Sequence, residues 1–229
     1  MKAHLQRAIT LENEYIVLEP EVLALAAEAL NEAVPIAPGP RLDVANVQVD
    51  TVADIALIHV IRCQALAGEP AEQYEYTAAA ALSTLVALVD ADRVAPQLRE
   101  VVDHALEQGA PTEVAPAALW ALDTYAALLE GDISRTASPD ILEAAIMMRQ
   151  RVVDVMPPDH PGYAAARTDV AMLHVRRYDM NGQVEDLDYA IELLQQAITH
   201  AQQVDQRVEA QRLLEIVRDH RASLVRDET

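Results

Sequence analysis

The chain has no phenylalanine, one tryptophan (Trp120), one cysteine (Cys63) and one lysine (Lys2). A lone cysteine rules out a disulfide framework and a thiolate metal cluster. So few aromatics leave little of the material from which sheets pack. The motifs GxGxxG, GxxxxGK[ST], HExxH, CxxC and GxSxG are all missing, which removes the common nucleotide, zinc-hydrolase and serine-hydrolase sites. "MKAHLQRAITLENEY" lacks the apolar core of a signal peptide. The longest Ala/Leu/Val-rich run, Ala78–Val89, is too short to cross a bilayer. These absences lead to the expectation of a soluble, cytoplasmic chain without membrane contact, cofactor or metal.

What is present is alanine, 41 of 229 residues, within a hydrophobic content of 52%. Alanine is the strongest helix former and lets backbones approach closely, so the composition predicts an all-α fold. The net charge is −20. A chain of that charge repels phosphate backbones, which argues against nucleic-acid binding. The acid is uneven: residues 1–145 carry 23 acidic and 7 basic side chains, residues 146–229 carry 14 and 10. A basic partner for the first part is one reading; a solvated surface that maintains solubility is the plainer one.

Proline, glycine and capping residues divide the chain into ten helix-length pieces, near 2–15, 20–34, 43–67, 71–91, 94–109, 112–131, 139–156, 161–181, 186–204 and 206–226. Ser138, Thr112 and Asp205 suit N-caps, with Pro139 at a first helical position. Gly68, Gly109, Gly131 and Gly182 fall where helices should end. No stretch shows strand-like alternation or a glycine-rich hairpin signal.

Two segments nearly spell each other: "DIALIHVIR" (Asp54–Arg62) and "DVAMLHVRR" (Asp169–Arg177). Each sits late in a predicted helix, followed by a Gly-containing turn and a second helix. A helix pair used more than once is the mark of an α-solenoid, because one pair cannot bury its own apolar face. Ala190, Leu194 and Ala197 lie at i, i+4, i+7 on one face, as do Ala26, Leu30 and Ala33. Ala145, Arg149 and Val152 repeat the spacing with an arginine in the large position.

The segment Arg151–Ile198 resembles tetratricopeptide repeats, in a long-turn variant common in actinobacterial multi-repeat proteins. The resemblance is carried by "PPDHP" (Pro157–Pro161), Arg177-Tyr178, Gly182, and Asp186-Leu187-Asp188 followed by Ala190-Ile191-Glu192-Leu193. Ala171, and Ala56 in the other copy, match the family's small residue inside the first helix. The likeness is looser over 20–38, 54–90 and 139–158, and poor over 94–131. It implies a right-handed α-α superhelix of nine to ten helices forming one domain over 1–229. Within it, 1–91 would form N-terminal hairpins, 92–138 a divergent pair, 139–204 the best-matching units and 205–229 a capping helix.

The chemistry is sparse. His59 and His174 each follow an aspartate by five residues, which places Asp and His about 140° apart on a helix. They cannot share a metal without help from other helices, so packing is the reading for both histidines. Glu100 and His104 read as a surface pair, His160 as a turn residue, Cys63 as an inert buried thiol and Trp120 as core. By the resemblance, a concave groove would be lined by Thr168, Met172, Val175 and Arg176 in the last unit and by Ala53, Leu57, Val60 and Ile61 in the earlier one. The expectation is a non-enzymatic module that binds a protein or peptide partner, or forms a homodimer. A helical sensor of peptides or small molecules is the alternative. A helical enzyme with a site assembled from distant helices is the third reading.

Overall fold

The boundaries predicted from Pro and Gly recur, with shifts of a few residues, in the computed structural model, which describes residues 18–37 and 41–227. The expected helix at 2–15 lies outside the described residues. Among these there are nine α-helices: α1 (Pro20–Ala33), α2 (Val49–Ala65), α3 (Glu72–Val89), α4 (Pro96–Glu107), α5 (Val114–Thr136), α6 (Pro139–Val155), α7 (Tyr163–Asn181), α8 (Val184–His200) and α9 (Val204–Asp227). The protein is all-α, built from packed helical hairpins. It divides into two compact units, Met1–Met148 and Arg149–Thr229, with the division falling inside α6.

In the first unit α2 and α3 form a hairpin, α3 packs against α4 and α5, and α1 packs against α2 and α5. Its centre is the alanine-rich α3, where Ala78 to Ala81, Leu82, Leu85 and Val86 are all buried. Two hydroxyls are also buried there. Ser83 and Thr84 turn inward and donate to the Ala79 and Ala80 carbonyls at 2.6 and 2.8 Å, so neither is left unsatisfied. Tyr125 of α5 is fully buried and donates its hydroxyl to the Leu23 carbonyl of α1 at 3.1 Å.

In the second unit α7 and α8 form a hairpin, and α9 covers α8 through Ala210, Leu214 and Val217. The "PPDHP" linker is tied down from α9 and its approach. Gln202 Nε2 donates to the Asp159 carbonyl (2.5 Å) and Gln206 Nε2 to that of Pro161 (2.9 Å). His160 has the turn role expected, accepting from the Gly162 N–H at 3.1 Å. The three small–large–small triples are buried throughout, Arg149 included, at 5% exposure.

Several local expectations need correction. Gly131 does not end its helix: α5 continues to Thr136, because Ile133 still has a buried place to fill. Ala137 then takes the left-handed C-cap conformation (φ 49°), its N–H bonded to the Ile133 carbonyl. Gly68, Gly109 and Gly182 do carry positive φ at helix ends. Thr112 and Asp205 are not N-caps, since α5 starts at Val114 and α9 at Val204. Asp205 lies in the first turn instead, where a negative charge suits the helix dipole. A two-residue antiparallel pairing, Ile36–Ala37 (β1) with Arg41–Leu42 (β2), is too short for alternation to announce it.

Candidate functional site

The repeated nine-residue segments each supply a histidine and, three residues later, an arginine. One helical turn apart, the two side chains project from the same face. In the first unit both point at Glu75, in the first turn of α3. His59 Nδ1 lies 2.6 Å from Glu75 Oε2, and Arg62 Nε donates to Oε1 at 2.7 Å. All three side chains are buried, at 0%, 1% and 2% exposure. In the second unit the counterpart of Glu75 is Asp186, in the first turn of α8. His174 Nδ1 is 2.8 Å from its Oδ1, and Arg177 donates to the same carboxylate from Nε and Nη2 at 2.6–3.0 Å. Asp54 and Asp169, the carboxylates nearest in sequence, are not the partners.

Electrostatics fix the proton positions. Burial alone would raise the Glu75 carboxyl, but hydrogen bonds from His59 and Arg62 and their charge outweigh it and hold it below its ordinary value. Asp186 is held down in the same way, burial being opposed by Arg177 and His174. An ionised carboxylate only accepts, so Nδ1 of each histidine carries the proton it shares. A tyrosine ring stands edge-on to each imidazole: Tyr125 to His59 at 5.1 Å, Tyr189 to His174 at 4.7 Å. His59 Nε2 is buried without a hydrogen bond.

Each triad clamps the first helix of a hairpin to the second. A nearby pocket of about 100 Å³ is lined by Tyr74, Glu75, Leu128, Asp132 and Arg135 among others. Within it Arg135 pairs with Asp132 one turn away. Cys63 is half-buried, its thiol pushed up by burial and by the charges of Glu72 and Glu75, so little thiolate forms. Among the described residues no group of three or more His, Cys, Asp or Glu is placed to hold a metal ion. His104 lies edge-on to Tyr76, and Trp120 is half-buried rather than enclosed.

The residues nominated for a groove fall on two helix faces. Ala53, Leu57, Val60 and Ile61 are all half-buried and lie on α2 opposite the buried Val52, Ile55, Ala56 and His59. Thr168, Val175 and Arg176 are half-buried and Met172 is 36% exposed, on α7 opposite the buried Val170, Ala171 and His174. The two sets belong to different units.

A larger groove of about 530 Å³ lies in the first unit, with α1 and the start of α6 as its walls. Glu21, Ala24, Leu25 and Glu28 form one wall; Asp140, Glu143, Ala144 and Met147 form the other. Both walls follow i, i+3, i+4, i+7, one face of a helix over two turns. The sequence carried that signal in "EVLALAAE" and "DILEAAIM", where two acids and two small or apolar residues share one face at helical spacing.

No protein-family model, curated protein or solved structure matches this chain. The fold defines it as an all-α protein of helical hairpins. Among the described residues no helix is long and apolar enough to cross a membrane.

Proposed function

We propose that the chain is a non-enzymatic protein-interaction module of tetratricopeptide-like hairpins that binds a protein or peptide partner. The observation that carries this reading is the pair of partly exposed stripes, Ala53/Leu57/Val60/Ile61 and Thr168/Met172/Val175/Arg176, at matching places on the first helices of two hairpins. Leucine, valine and isoleucine left half-covered on the face away from the core are surface that a partner can dehydrate. The catalytic alternative finds its best material in the His–Arg–carboxylate clusters. Their duplication argues for a clamp that each hairpin needs, since in each cluster the histidine and the arginine of one helix both bond the carboxylate of the next.

Affinity capture from native cell lysate, with the wild type beside Leu57→Glu and Met172→Glu, tests the reading. A carboxylate in a desolvated contact costs about 2 kcal/mol or more, so at least one variant should lose a captured protein. Unchanged capture by both would overturn the proposal.

A further inference from the structure

We propose that the groove between α1 and the start of α6 receives a basic amphipathic helix of a partner protein. This deepens the interaction-module reading and rests on it. The floor is apolar and low, made by Ala24, Leu25, Ala144 and Met147, so the ridge of another helix can enter between the two walls. Two alanines, one on each wall, bring an incoming backbone close. The walls run for two helical turns, about 10 Å, which matches the contact length of a short helical segment.

Charge selects the occupant. Among the described residues, every ionisable one lining the groove is acidic: Glu21 and Glu28 on one rim, Asp140 and Glu143 on the other. All four are exposed at the rim, while Ala144 is buried and Ala24, Leu25 and Met147 are half-buried. A helix with an apolar stripe between rows of Lys or Arg fits both features at once. A second copy of this chain does not, because at −20 each copy would set acid against acid. A small polycation would meet the rim but gain nothing from Leu25 and Met147.

The test uses the full chain and a fluorescein-labelled synthetic helix of about 14 residues, Leu and Lys at helical spacing, followed by fluorescence anisotropy at low salt. Glu21→Arg/Glu28→Arg reverses one rim, and Leu25→Ser removes floor contact. Asp103→Arg/Glu107→Arg on exposed positions of α4 makes the same change in net charge elsewhere. Circular dichroism melts confirm that each variant is folded. The rim reversal should weaken binding about tenfold or more, and the control less than about twofold. Leu25→Ser should weaken it about threefold or more. Equal losses in the rim and control variants, no effect of Leu25→Ser, or no saturable binding of the probe would each overturn the site. If lysate capture still depended on Leu57 or Met172, only the groove would be lost and the interaction module would stand.

Discussion

A buried guanidinium sets the terms for the side chains around it. Arg62 is 1% exposed, and Glu75 supplies a buried charge that compensates it. Glu75→Gln keeps the shape and removes that charge, so it should destabilise the fold by about 3 kcal/mol, read from urea unfolding. Asp186→Asn should cost less, because the Arg177 side chain is 25% exposed and water shares its charge. Both carboxyls titrate below their ordinary values in the folded protein. Their contribution is therefore complete above the ordinary carboxylate range, about pH 4, and is lost as pH falls through the depressed values. Melting temperature followed from pH 7 to pH 3 should drop in the acid limb, and the drop should be shallower in Glu75→Gln. An unchanged acid limb in that variant would show that Glu75 does not carry the effect.

Helix ends give the second set of expectations. Gly131 lies inside α5 with nothing within 4 Å of where a Cβ would stand. Gly131→Ala should thus stabilise by about 0.5–1 kcal/mol through the helix propensity gained. Ala137 is the opposite case, a side-chain-bearing residue at φ 49°. Ala137→Gly should stabilise by about 1 kcal/mol, and Gly182→Ala, at φ 72°, should destabilise. Thermal melts of the three variants check the signs. These positions also show what the sequence made legible. Proline at the starts of α1, α4 and α6, and glycine after α7, punctuate the chain through local backbone rules, so their helices could be drawn from the sequence. Gly131 could not be resolved that way: a glycine is equally a helix end and a tolerated interior residue, and only the burial of Ile133 decides. The triads were half legible. The recurrence of His and Arg three apart was visible, but the carboxylate lies 16 residues beyond the histidine in one copy and 12 in the other, across a turn whose length differs between the copies. Hence Asp54 and Asp169 drew attention that belonged to Glu75 and Asp186. The acid-rimmed groove escaped because its walls are over a hundred positions apart in the chain.

At the scale of the whole molecule the dominant quantity is the charge of −20, against a sequence pI of about 4.5. Such an excess opposes the compact state by self-repulsion, and the repulsion acts between exposed groups across water. Salt screens those interactions, with a Debye length of about 10 Å at 0.1 M, and barely touches a pair sealed from solvent. The two electrostatic systems in this protein should therefore separate under salt. The diffuse surface acid weakens the fold at low ionic strength, while the His59–Arg62–Glu75 cluster strengthens it at any ionic strength. Raising sodium chloride from about 20 mM to about 300 mM at pH 7 should raise the melting temperature, and the Glu75→Gln variant should rise by a similar amount from a lower start. Binding of a cationic helix should move the other way and weaken over the same range, because its attraction to the rim is long-ranged and exposed. Calorimetry of the free protein beside anisotropy of the complex measures both. A melting temperature that fell with salt would mean that attractive surface pairs, such as Arg221 with Asp188 at 2.9 Å, outweigh the repulsion that the net charge implies.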